Sequence, residues 1–199
     1  MSMLLYLHGF NSSPQSKKAL QTQHWCAENA PQLAFVCPAL TPFAKQTLEL
    51  LRSLVEKQLP QPVYLVGSSM GGFFATCLVE QYDLRAVLIN PAVSPGRGLS
   101  GWLGENTNFM TGEKWVFEPQ HIDEYIALDP PQIRYKNNYR LLLQTGDEVL
   151  DYRDAQRRYQ GCDIITEQQG DHSFINYHRH LASIYQFLMA SGNKITKVT

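Results

Sequence analysis

Apolar residues follow two alternating rhythms along this chain. Met3 to Leu7, Leu33 to Cys37, Val63 to Val66, Arg85 to Ile89, Tyr139 to Thr145 and Asp163 to Thr166 are short, mainly apolar runs ended by glycine, proline or polar residues. Runs of that length and ending fit strands buried in a sheet. Between them the spacing becomes helical. Leu48, Leu51, Val55 and Leu59 recur after Phe43, with Lys45, Glu49, Arg52 and Glu56 between them, and Phe174, Tyr177, Leu181, Ile184 and Leu188 form a second such stripe. Ser13 and Pro14 are placed as N-cap and first position of a helix running to about Asn29. Strand and helix alternating with short connections predict an α/β fold with a parallel sheet, about six strands covered by helices on both faces, and right-handed crossovers. The strand carboxyl ends then share one edge, and His8, Ser69 and Asn90 stand at it, where such sheets bind ligands.

The segment from about 91 to 138 breaks the rhythm. A structureless loop of that length is improbable inside a compact domain, so it is expected to hold short elements: a helix over Pro119 to Leu128 and a brief strand at Trp115-Val116-Phe117. Trp102, Phe109, Trp115, Phe117 and Tyr125 suit a small cap with apolar walls, and equally suit a plain cover over the sheet; Trp102 and Trp115 are the candidate substrate walls. No Pro/Gly/Ser-rich linker divides the chain, so residues 1–199 are read as one domain carrying this insertion. Lys194 to Thr199 are expected to fray.

Composition narrows the chemistry. At 44% hydrophobic and 18% charged, with a formal net charge of -1 and no dense Lys/Arg run, the chain is a poor partner for nucleic acid or an anionic membrane, and small neutral substrates fit better. No run approaches the ~20 apolar residues of a membrane span and Met3 to Leu7 is too short for a signal sequence, so no stable membrane anchor is expected and the location is read as cytoplasmic. Cys26, Cys37, Cys77 and Cys162 lie far apart without a C-x-x-C pair and are read as reduced thiols. His178 and His180 are two apart on a helix and cannot share a face, so no metal site is expected.

Gly67-Ser68-Ser69-Met70-Gly71 ends the strand from Val63 and opens an apolar helix. G-x-S-x-G in that setting is a sharp turn that exposes the central serine at a helix N-terminus; a plain glycine-rich turn is the competing reading. What favours chemistry is the order of its partners. Ser69 is the candidate nucleophile, His172 in Gly170-Asp171-His172-Ser173-Phe174 the general base, and Asp147 in Gly146-Asp147-Glu148-Val149-Leu150-Asp151 the acid that orients it, with Glu148 and Asp151 as rivals. The backbone N–H of Met70 points toward the oxyanion, and the loop His8-Gly9-Phe10 offers a second N–H at Phe10. His8 itself is read as a loop residue bonded to backbone.

Together with Asn90-Pro91-Ala92-Val93 and the stretches Leu4 to Pro14 and Gln144 to Arg153, these motifs make the chain resemble the small bacterial esterases of the YqiA type, within the α/β-hydrolase superfamily. The resemblance covers nearly the whole length and implies hydrolysis of an ester or thioester with no cofactor. Against larger hydrolases the chain begins directly at the strand before the oxyanion loop, so a site open on one side is expected. Two classes of function remain: a serine esterase working through acyl-Ser69, with acyl-CoA thioester cleavage or acyl transfer as its variant, and a catalytically silent fold used for binding. All three triad positions are filled, which favours the enzyme.

Overall fold

The structure, a computed structural model, describes residues 1–190; the expectation for Lys194 to Thr199 lies outside them. Six strands form the main sheet: β1 (Ser2–Leu7), β2 (Leu33–Val36), β3 (Val63–Ser68), β4 (Arg85–Ile89) and, after a hairpin of β5 (Gly104–Thr107) with β6 (Lys114–Phe117), β7 (Tyr139–Gln144) and β8 (Asp163–Glu167). Their order is β2-β1-β3-β4-β7-β8 and every neighbouring pair is parallel. The helices are α1 (Lys17–Asn29), α2 (Ala44–Gln58), α3 (Met70–Tyr82), α4 (Pro119–Leu128), α5 (Tyr152–Arg158) and α6 (Leu181–Met189).

Side chains of one strand point alternately to the two faces, and here both faces are apolar, which is why the strands read as unbroken runs. Leu5, Leu65, Leu88 and Leu141 pack with Leu48, Leu51, Phe73 and Phe74 of α2 and α3. Leu4, Val66, Val87 and Leu142 pack with Ala19 and Cys26 of α1 and with Leu181, Ile184 and Leu188 of α6. Register sets the strand tips level: Leu7 lies opposite Gly67, Ser68 opposite Ile89 and Ile89 opposite Leu142. The loops after β1, β3, β4, β7 and β8 therefore leave along one edge.

Two expected helices are shorter than their patterns. Ser13 does not cap α1; its carbonyl accepts from Ser16 N at 3.0 Å and its hydroxyl from Gln15 N at 3.1 Å, closing a separate turn before the helix begins at Lys17. The stripe from Phe174 to Leu188 is buried throughout but broken in two. Phe174 (φ 62°) and Asn176 (φ 61°) adopt the left-handed conformation that ends helical continuity, and a 3₁₀ turn at Tyr177–His180 precedes α6. Residues 91–138 hold 3₁₀ turns at Pro95–Arg97, Leu99–Trp102 and Lys136–Asn138 as well as the hairpin and α4. The hairpin reaches the loop after β1 through Asn11 Nδ2, which donates to Thr107 O at 3.3 Å, and Asn108 Nδ2, which donates to Ser12 O at 3.1 Å.

Candidate active site

Ser69, between β3 and α3, has φ 54° and ψ −120°, a region that costs a non-glycine residue of order 1–3 kcal/mol and persists only when its surroundings impose it. They do so through hydrogen bonds at both ends: Ser69 N donates to Ile89 O at 3.0 Å, and Ser69 O accepts from Gly72 N at 2.8 Å and Ala92 N at 3.0 Å. The flanking glycines are required by space. A Cβ on Gly67 would stand 2.4 Å from Gly71 O, and one on Gly71 would stand 2.0 Å from Leu7 O.

His172 Nε2 lies 3.0 Å from Ser69 Oγ, and His172 Nδ1 lies 3.0 and 2.9 Å from the two oxygens of Asp147. An ionised carboxylate only accepts, so Nδ1 carries the proton and Nε2 is left to accept from the serine hydroxyl. Asp147 Oδ1 also accepts from Val149 N at 2.9 Å and Leu150 N at 2.8 Å, and only 2% of the side chain is exposed. The rivals have other partners: Glu148 Oε2 accepts from His172 N at 2.9 Å, and Asp151 caps α5 by accepting from Arg153 N. His8 is buried, with Nδ1 2.9 Å from Gly9 O and Nε2 accepting from Leu40 N at 3.0 Å; burial lowers its pKa, and it belongs to the loop's framework. Among the described residues no group of His, Cys, Asp or Glu could hold a metal ion.

Two lobes of one cleft meet at Ser69, His172 and Phe10. The larger, ≈ 810 Å³, is lined by Ala92, Val93, Leu99, Trp102 and Phe109, with Met70 at the serine. The smaller, ≈ 310 Å³, is lined by Tyr6, Ser12, Ser16, Lys18 and Glu148. Gly9 sits against the serine, since a Cβ there would lie 3.4 Å from Ser69 Cβ. Neither the Phe10 nor the Met70 N–H has an acceptor among the described residues, and at Met70 this follows from its place as first residue of α3. One candidate wall is corrected. Trp115 is 8% exposed and does not line the cleft; it stands behind, 5.5 Å from Phe10 and 6.2 Å from Trp102 between ring centroids. Phe117 and Tyr125 are likewise buried, whereas Phe109 is exposed at the mouth.

Residues 3–189 match the uncharacterised protein family UPF0227. The chain belongs to this family. Among its UPF0227 relatives is the YcfP protein of Salmonella paratyphi B, 26% identical over 93% of this chain and 98% of that protein. In fold it is similar to α/β hydrolase domain-containing protein 10 from mouse (TM-score 0.73, 18% identity, 94% of this chain and 89% of that one) and to Est1E of Butyrivibrio proteoclasticus, solved with ferulic acid bound (TM-score 0.72, 14% identity, 94% and 88%). This UPF0227 chain thus has the α/β-hydrolase fold.

Two side chains to which the sequence assigned no role of their own hold the His172 loop in place. Asn90 Nδ2 donates to Asp171 O at 3.0 Å and His172 O at 3.3 Å, while its Oδ1 accepts from Gln144 N at 3.0 Å. Gln144 Oε1 accepts from Asp171 N at 3.2 Å and Ile175 N at 2.9 Å, and its Nε2 donates to Ile175 O at 3.0 Å and Glu167 Oε2 at 2.9 Å. The sequence signal for both was a polar residue at the carboxyl end of a mainly apolar strand.

Proposed function

We propose that this UPF0227 chain is a carboxylic ester hydrolase of the YqiA type, working through an acyl-Ser69 intermediate. The observation that carries the reading is the unbroken chain of contacts from Ser69 Oγ through His172 to Asp147. In the first half-reaction Ser69 Oγ bonds to the ester carbonyl carbon as its proton passes to His172 Nε2. Asp147 holds the imidazole in the tautomer that can accept that proton and stabilises the imidazolium formed. The carbonyl oxygen takes negative charge in the space served by the Phe10 and Met70 N–H groups, helped by the positive end of the α3 dipole. The carbon–oxygen bond to the alcohol then breaks, and the alcohol leaves with the proton from His172. Water, deprotonated by His172, attacks the acyl-serine and releases the acid and Ser69. Residues 91–138 act as the cap in this scheme, with Trp102 as a wall for the acyl chain. The reading places the protein in the cytoplasm, supported by four unpaired cysteines whose thiol pKa values burial raises to about 11 or 12.

A fluorophosphonate probe is expected to label the protein stoichiometrically and to leave Ser69→Ala unlabelled. Turnover of p-nitrophenyl esters should vanish in the same variant. If acyl-CoA thioesters are cleaved and oxygen esters are not, the triad assignment stands and the ester assignment gives way to a thioesterase; if neither is cleaved and no label attaches, the fold serves binding alone.

A further inference from the structure

The smaller lobe of the cleft carries more hydrogen-bonding capacity than the protein uses. Tyr6 is fully buried and its hydroxyl has no hydrogen-bond partner among the described residues. A buried hydroxyl left so is rare in a native fold, and one beside a cleft is accounted for when a bound molecule supplies the partner. Lys18 Nζ spends one N–H on Ser173 O at 2.8 Å and has two more to give. Ser12 and Ser16 line the same space, as does Glu148, one of whose oxygens is engaged by His172 N. Donors and an acceptor of both charge signs thus surround ≈ 310 Å³, whereas in the larger lobe the apolar Ala92, Val93 and Leu99 share the lining with Arg97, Asp154 and Arg158.

An ester has two halves with the reacting carbon between them, and the two lobes meet at Ser69 and His172. We propose that the smaller lobe is a leaving-group subsite for a polyhydroxylated alcohol, so that the substrates are acids esterified to a glycerol- or sugar-like alcohol. The inference rests on the ester-hydrolase reading above. Charge selects a neutral polyol over an ion. Lys18 has Asp171 and Asp147 as electrostatic neighbours and Glu148 beside it in the lobe, so an added anion would meet carboxylates and an added cation would meet the ammonium. Hydroxyl groups accept from Lys18 and Tyr6 and donate to Glu148 at once. The alcohol then leaves next to His172, which returns its proton.

The test compares glycerol monobutyrate with 1-butyl butyrate by titrating the butyric acid released, each kcat/KM divided by the ester's rate of alkaline hydrolysis. The wild type is expected to favour the glycerol ester by about tenfold or more, because a site built to bond substrate hydroxyls discriminates strongly against analogues that lack them. That preference should collapse in Lys18→Met and fall by less in Tyr6→Phe, which removes only the unpartnered oxygen. It is overturned if the wild type shows no preference, if the preference survives Lys18→Met, or if Lys18→Met lowers both esters equally, the mark of a residue that merely anchors Ser173. Should Lys18→Met fail to fold, Tyr6→Phe decides by the same criteria. Methyl glycerate against methyl butanoate puts the hydroxyl groups on the acyl side, and a gain there would overturn the assignment of the lobe to the leaving group. Calorimetric titration of Ser69→Ala with glycerol monobutyrate separates the two readings. Lys18-dependent binding without turnover by the wild type keeps the subsite and sinks hydrolysis; turnover of both esters without preference does the reverse.

Discussion

Asp147 and Asp151 share one loop and have different partners, which makes them a sharp test of the proposed triad. Asp147 meets His172 Nδ1 with both oxygens, so Asp147→Asn should leave the imidazole in the wrong tautomer and lower kcat on a p-nitrophenyl ester by on the order of 10⁴. Asp151 caps α5, and asparagine is as good an N-cap as aspartate, so Asp151→Asn should change neither kcat nor the urea midpoint appreciably. If Asp151→Asn is the damaging variant, the acid has been misassigned. Lys18 gives a pH-dependent counterpart. Burial is the main cause lowering its pKa from 10.5 to about 8, partly offset by Asp171 and Asp147. Between those two values the unfolded chain binds more protons than the native one, so this residue's contribution to stability rises with pH across that window. Urea unfolding should accordingly show wild type gaining on Lys18→Met as pH goes from about 8 to about 10. A difference that stays flat with pH would mean the ammonium is not desolvated.

At the scale of elements, the elbow is held by close approach of backbones, and the histidine loop by side chains bonded to backbone. Gly71→Ala drives a Cβ into Leu7 O, a fixed strand atom, and should cost more than the ~1–3 kcal/mol of ordinary overpacking in urea unfolding, or prevent folding. A neutral result would mean that β1 and α3 can separate. Gln144→Ala removes the bonds to Asp171 N, Ile175 N and Ile175 O that fix the loop after β8, and its expected signature is a fall in kcat of tenfold or more with KM little changed. An unchanged kcat would show that Asn90 alone suffices. These two cases explain what the sequence could disclose. The elbow was legible because its steric demand falls on residues within one short motif, and the contacts of Ser69, His172 and Asp147 because each residue follows a strand tip. Gln144 was not, because its partners lie in a loop beyond another strand and nothing local marks them. The split before α6 escaped for a similar reason: Phe174 and Asn176 take left-handed φ without glycine, while the apolar stripe continues undisturbed across the break.

At the scale of the whole molecule, residues 91–138 both close the core and shape the cleft, and their two tryptophans divide these tasks. Composition alone could not separate them, since both are apolar, aromatic and set in the same irregular segment. Trp102 faces the larger lobe beside Phe10, their ring centroids 5.1 Å apart, whereas Trp115 is buried behind them with Phe117 at 5.8 Å. Truncating a wall costs an acyl chain roughly 1–3 kcal/mol of contact, and the cost grows with the length of chain that reaches it. Trp102→Ala should therefore lower kcat/KM on a long-chain p-nitrophenyl ester about tenfold relative to the shortest one, with little change in the urea midpoint. Trp115→Ala removes a core aromatic, for which about 3–5 kcal/mol of stability is the usual loss, and any change in activity should follow the fraction folded on esters of every length. Phe10 packs edge-on against both rings, so the backbone N–H proposed for the oxyanion stands on the same aromatic cluster that walls the larger lobe. Equal losses on all chain lengths in Trp102→Ala, with a lower midpoint, would show that this residue too supports the core and that acyl chains lie elsewhere.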